Sequence, residues 1–422
     1  MYARRCLGWS LLLVGMAVLF VAGALAAGLP QAKPEQVGLS AKRLERITDA
    51  FQADVAKGRI PGAVVLVARQ GKVAYWQAFG KRDVETGAAM AKDDIFRIYS
   101  MSKPITAVAV LTLVEEGRIF LSDPISQYLP ELAKREVAVP DGQGGIKLVP
   151  AAREMTVQDL MRHTAGLTYG LFTTTLVKKQ WVDAENEFWN ITNADMITRM
   201  AKLPLVYQPG TTFEYSWSYA VLGRMVEVVS GKTLGEFFAE RIGRPLGMQD
   251  TGFSVPAAKL GRLAQSAPHP DTGKPQTLLD LKTPPLFEGG GESMVSTAGD
   301  YAVFAQMLLN RGEYGGVRIL GPKTVEYMTA DHLGSLIGTG VYLPGPGYGY
   351  GLGVAVRLTP GVSALPGSPG EINWGGYGGT YFWADPKEKL IGVLMLQSPA
   401  MRVRYRSLLK DLVTQAIEQP LP

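Results

Sequence analysis

The chain has 422 residues, 46% of them hydrophobic and 19% charged, a globular composition with ample material for a core. Its net charge of +5, from 43 Lys and Arg against 38 Asp and Glu, makes no case for nucleic acid as a partner. The one cysteine, Cys6, lies near the N-terminus, so the rest of the chain has no disulfide framework, zinc–thiolate site or cysteine nucleophile. Arg4 and Arg5 precede an apolar run from Leu7 to Ala27, and Ala24-Leu25-Ala26 has the small-x-small form of a cleavage site. Residues 1–27 are expected to be a signal peptide, which places the mature chain, of net charge +3, in a bacterial periplasm or outside the cell. The alternative is an uncleaved segment that associates the chain with the inner membrane, because the run is nearly long enough to span a bilayer.

Leu44, Ile47, Phe51 and Val55 recur at helical spacing and predict an amphipathic helix over 38–57. Pro61-Gly62 breaks it. Ala63 to Ala68 reads as a buried strand, Gln70-Gly71 as a turn, and Val73 to Phe79 as the return strand. An apolar helix runs on to Val114 and Gly117 ends it. Residues 137–153, rich in Gly and Pro, read as a loop, and Thr156 caps a short helix over 157–162. Residues 171–200 read as a partly helical region rich in Phe, Trp and Thr, followed by a Pro209-Gly210 turn and a helix from Ala220 to Val229. Gly289 to Asp300 reads as a close-packed turn with Ser296 or Thr297 capping the next helix; no lysine follows at the spacing a phosphate loop needs. The last third turns to strands: Tyr348 to Val356 alternates, Ile372 to Ala384 follows, and Leu390 to Leu396 reads as buried. A helix over 403–417 closes the chain.

The chemistry concentrates at Ser100-Met101-Ser102-Lys103. One helical turn separates Ser100 from Lys103 and puts an amine beside a hydroxyl. A serine hydroxyl becomes a useful nucleophile when a neighbouring base takes its proton, and a lysine can be that base. Only three histidines exist, His163, His269 and His332, and none has metal-ligand spacing to another. Lysine is therefore the better base candidate. Tyr215 stands just ahead of a helix, where its phenol could enter a cleft and act as a general base beside an ammonium. No metal or organic cofactor is expected.

Several segments in order resemble the serine β-lactamase-like hydrolases, in the group of class C β-lactamases and D-alanyl-D-alanine carboxypeptidases. They are Phe96 to Thr106, Leu160 to Leu167, Gln208 to Ser216, Pro245 to Phe253, Gly289 to Asp300 and Trp374-Gly375-Gly376. The resemblance implies an α+β fold in which an antiparallel sheet is flanked by the terminal helices and a mostly helical second unit faces it. The sheet unit would be built from about 35–95 and 310–417, the helical unit from about 100–305, and the site would lie in the cleft between them. It implies Ser100 as the acylated nucleophile, Lys103 as its partner and Tyr215 as the proton shuttle. The backbone amides of Ser100 and Tyr377 would form the oxyanion hole. Trp217, Trp374, Gly375 and Gly376 would contact substrate.

Two departures from the pattern redirect the expected activity. Trp217 stands where the family usually carries asparagine, and Trp374 where it carries a cation or an imidazole. Both replace polar anchors with apolar surface, which weakens the grip on an anionic penicillin and suits a neutral acyl chain. The Trp-Gly-Gly form resembles the family VIII carboxylesterases, so a small-molecule ester is the expected substrate. A β-lactamase or D-alanyl-D-alanine carboxypeptidase, an acyltransferase, and a non-catalytic penicillin-binding-like protein are the alternatives.

Overall fold

A computed structural model describes residues 28–170, 175–336 and 344–421. The expected signal peptide and Cys6 lie outside them. The first helix, α1 (Ala41–Ala56), leads into strands β1 (Gly62–Arg69) and β2 (Lys72–Gly80). The chain then leaves the sheet and returns with β3 (Tyr348–Tyr350), β4 (Ala355–Arg357), β5 (Ile372–Gly375), β6 (Tyr381–Asp385) and β7 (Leu390–Leu396). Together they form one seven-stranded sheet in the order β2-β1-β7-β6-β5-β4-β3, every pair antiparallel.

Both faces of that sheet are covered, and the strand sequences show why. Side chains alternate across a strand. Ala63, Val65 and Val67 of β1 join Leu394 and Leu396 of β7 on one face, under α1 and the closing helix α7 (Arg402–Thr414). Val64, Leu66 and Ala68 join Val393 and Met395 on the other face, under α6 (Ala298–Leu309) and the helical part. A strand buried on both sides must be apolar throughout, hence the unbroken run Ala63 to Ala68. Phe51 and Tyr405 tie the terminal helices together with ring centroids 5.4 Å apart, and Tyr405 Oη donates to Asp54 at 2.8 Å.

At the centre of the helical part is α2 (Ser102–Glu115). Every residue from Ser102 to Leu113 is buried, so this helix is apolar on all sides, not amphipathic. Against it packs α5 (Ser218–Ser230), and α3 (Val157–Met161) packs on α5 in turn; α4 (Lys178–Phe188) lies between those two in the sequence. Thr297 caps α6, its Oγ1 accepting from the Asp300 N–H at 3.1 Å.

Two expectations are corrected. The expected loop at 137–153 contains a hairpin, Glu136–Pro140 paired with Ile146–Pro150. Asp141 Oδ1 accepts from the Gln143 and Gly145 N–H groups, and Gly142 and Gly144 adopt positive φ, so the glycines make the turn and leave the flanking residues free to pair. The alternating stretch Tyr348 to Val356 is two strands, β3 and β4, because the chain reverses through Gly351 to Gly353, the last with φ of 92°.

Candidate active site

Ser100 lies in a 3-10 turn, Tyr99–Met101, immediately ahead of α2. Tyr99 has φ of 44°, a left-handed conformation that costs a bulky residue roughly 1–2 kcal/mol. Its surroundings hold it there. Ser102 Oγ donates to the Tyr99 carbonyl at 2.6 Å, the Leu279 N–H donates to Tyr99 Oη at 2.8 Å, and the ring meets Tyr377 edge-on at 5.6 Å. The kink ends β-like chain and begins helix within a few residues, and it leaves Ser100 lining a cavity of about 1000 Å³.

Lys103, the second residue of α2, is completely buried. Its Nζ lies 2.8 Å from the Gly291 carbonyl, 3.1 Å from Tyr169 Oη and 3.3 Å from Ser100 Oγ. An ammonium has three hydrogens and here has three acceptors. Glu292 Oε1 is 3.6 Å from Nζ. The Tyr215 ring centroid is 4.7 Å from the same nitrogen, and Tyr215 Oη is 2.7 Å from Ser100 Oγ. The structure therefore brings Ser100, Lys103 and Tyr215 into mutual contact.

Trp374 in β5 does more than present an apolar ring. Its indole N–H donates to Tyr215 Oη at 3.3 Å. Trp217 directs its own N–H to Glu185 of α4 at 2.8 Å, and its ring packs among Tyr169, Phe188, Trp189 and Phe287. With their one donor used, both rings offer the cavity a wall without a polar anchor. Burial pushes the Glu185 carboxyl up.

Gly375 and Gly376 line the cavity and are also required by close approach. A Cβ on Gly375 would lie 2.4 Å from the Arg406 guanidinium, and one on Gly376 would lie 2.2 Å from the Ile98 carbonyl. Arg406 Nη2 donates to the Gly376 and Thr380 carbonyls, so it clamps both ends of the turn that carries Tyr377. That turn and the Ser100 turn are thereby packed edge to edge.

His163 is fully buried, with its ring 4.7 Å from that of Tyr215 and its Nδ1 3.2 Å from Ser216 Oγ. Burial, and then the neighbouring Lys103, hold its pKa well below the ordinary value, so the ring is neutral. It supports Tyr215 from behind.

Tyr169 and Glu292 belong to the site and were not singled out by sequence reasoning. Tyr169 Oη donates to Glu292 Oε1 in a short hydrogen bond, and the Gly291 N–H donates to Glu292 Oε2 at 3.0 Å. Burial pushes the Tyr169 phenol well up, with Glu292 adding to the shift. The available signal was a lone acid following the glycine run Gly289 to Gly291. Those glycines are needed because Gly290 and Gly291 lie against α2 and α5: a Cβ on Gly290 would be 2.5 Å from the Tyr219 carbonyl, and one on Gly291 would be 2.9 Å from Lys103 Nζ.

An antiparallel sheet with both terminal helices on one face and a helical part on the other, with a serine and a lysine one turn apart facing a tyrosine across a cleft, is the architecture of the β-lactamase fold. The Beta-lactamase family profile matches residues 47–415. Protein Rv1367c of Mycobacterium tuberculosis is 36% identical over 376 residues, 83% of this chain and 90% of that protein. Esterase EstB of Burkholderia gladioli is 30% identical over 381 residues, 87% of this chain and 93% of that protein. The solved structure of EstCE1, described as a hydrolase with promiscuous acyltransferase activity, matches with a TM-score of 0.74 at 28% identity, over 90% of this chain and 99% of that one. The chain belongs to the beta-lactamase family and is a serine hydrolase of that fold.

Proposed function

We propose that the protein hydrolyses carboxylic esters through an acyl-enzyme on Ser100. The observation that carries this reading is the pair of contacts on one hydroxyl, Lys103 Nζ at 3.3 Å and Tyr215 Oη at 2.7 Å from Ser100 Oγ. Ser100 Oγ attacks the ester carbonyl carbon as its proton passes to the Tyr215–Lys103 pair. The amides of Ser100 and Tyr377 stabilise the oxyanion. Tyr215 returns the proton to the leaving alkoxide, and water then releases the acid by the reverse sequence.

Ester, as against β-lactam, is favoured by the cavity wall. Trp217 and Trp374 direct their N–H groups at Glu185 and Tyr215 and leave aromatic surface toward the substrate. The similarity to EstB and EstCE1 supports the same reading. The acyl pocket would be shaped by the segments 171–200, 254–288 and 333–347, of which 171–174 and 337–343 lie outside the described residues. Transfer of the acyl group to an alcohol in place of water is the second reading, supported by the similarity to EstCE1 with its promiscuous acyltransferase activity. The test is turnover of short p-nitrophenyl esters beside nitrocefin, with and without added alcohols. Ester hydrolysis that exceeds nitrocefin hydrolysis is the expected result; a large preference for nitrocefin overturns the ester reading.

A further inference from the structure

The proposed mechanism leaves the resting charge of Lys103 open, and a buried acid that the mechanism does not use bears on it. Glu292 is 6% exposed, and its Oε1 lies 3.6 Å from Lys103 Nζ. Its two oxygens are braced from opposite sides, Oε1 by the Tyr169 hydroxyl and Oε2 by the Gly291 N–H. Two donors aimed at a carboxyl group favour its ionised form, and so does an adjacent amine. Burial opposes this and pushes the Glu292 carboxyl up, with Lys103 the largest influence pulling it down. The Gly291 carbonyl, Tyr169 Oη and Ser100 Oγ all lie at donor distance from Nζ and match the three hydrogens of an ammonium.

Among the described residues, Glu292 is the only carboxylate within 4.0 Å of Lys103 Nζ. His163, from the segment after α3, is neutral. Tyr169 on the same segment is held as a phenol by burial and by Glu292 itself. Tyr219 of α5 is pushed well up by burial and donates to the Met161 carbonyl. Glu185 of α4 accepts from Trp217 Nε1 and the Gly170 N–H. Arg406 of α7 lines the same cavity and adds a second positive charge to the site.

We propose that Glu292 is a positioning residue whose buried carboxylate, held by Tyr169 and the Gly291 amide, keeps Lys103 as an ammonium directed at Ser100 and Tyr215. The consequence is a division of labour. A lysine held as an ammonium cannot accept the serine proton, so the base is Tyr215, as a phenolate. In acylation the bond forms between Ser100 Oγ and the acyl carbon, the Ser100 proton moves to Tyr215 Oη, and Lys103 keeps all three of its protons. When the tetrahedral state collapses, the bond to the alcohol oxygen breaks and Tyr215 delivers that proton to it. The ammonium and the Trp374 N–H stabilise the phenolate before the first event and after the second.

This inference rests on the ester-hydrolase reading and is tested by the pH–rate profile of Glu292→Gln, with Ser100→Ala as the separate test of that reading. Loss of the carboxylate makes the ammonium less favourable. The alkaline limb of kcat is therefore expected to move to lower pH by about one unit. Turnover at the optimum is expected to fall about tenfold. If Glu292→Gln does not fold, Glu292→Asp carries the test. Its carboxylate is one methylene shorter, so the limb is expected to move in the same direction by less. An alkaline limb that stays in place in whichever variant folds, while Ser100→Ala is inactive, overturns the role of Glu292 and leaves the nucleophile intact. Full activity in Ser100→Ala overturns the underlying reading instead.

Discussion

Trp374 is the residue whose role changes most between sequence and structure. In the sequence it is a bulky apolar replacement for a polar anchor; in the fold its N–H is 3.3 Å from Tyr215 Oη. A donor to that oxygen favours the phenolate and holds the ring toward Ser100. Trp374→Phe keeps most of the wall and loses the donor. A net hydrogen bond is worth roughly 1–1.5 kcal/mol, so steady-state kinetics should show kcat reduced about tenfold with KM nearly unchanged. Tyr215→Phe removes the proton carrier outright, and a loss of about 10²–10⁴ in kcat is expected. A Tyr215→Phe enzyme that retains wild-type kcat would exclude the phenol from proton transfer.

At the scale of elements, the site depends on glycines that let two turns approach the start of α2. Gly376→Ala would set a methyl 2.2 Å from the Ile98 carbonyl, two residues before Ser100. The turns must separate, at a cost on the order of 1–3 kcal/mol; denaturant unfolding should show that loss together with a fall in kcat. The start of α6 offers a separate test in pH. Burial pushes the Asp300 carboxyl from an ordinary 3.8 up to about 6, against hydrogen bonds from the Asp250 N–H and Thr251 Oγ1. A pKa raised on folding means that the folded state binds the extra proton. The stability it contributes is full below about pH 4 and is lost as pH rises through about 6. Asp300→Asn should lack that component, so the difference in unfolding free energy, variant minus wild type, should grow from pH 4 to pH 7.

Local patterns made part of this legible. Ser100 and Lys103 are three residues apart, Tyr215 stands just ahead of a helix, and the strands β1 and β7 are apolar runs that could hardly be exposed. The Lys103 contacts with Tyr169 and Gly291 span 66 and 188 residues, and no periodicity reports a pairing of that kind. The hairpin at 136–150 was hidden for a different reason. Its turn glycines dominate the composition of a stretch whose strands are only five residues each.

For the whole molecule, the end of strand β5 and the helical part each supply one wall of the cleft, and the nucleophile enters between them on the kink at Tyr99. Substrate preference then follows from the walls. A series of p-nitrophenyl esters of increasing acyl length should show an optimum set by the aromatic cluster around Trp217, and Trp217→Ala should shift that optimum to longer chains. The central claim is covalent catalysis at Ser100. Its most direct measurement is mass spectrometry of the protein after reaction with a fluorophosphonate, alongside ester turnover by Ser100→Ala. Covalent catalysis there predicts one adduct per chain on the peptide holding Ser100, no adduct on Ser100→Ala, and loss of turnover in that variant. An adduct on another residue, or full turnover by Ser100→Ala, would contradict it.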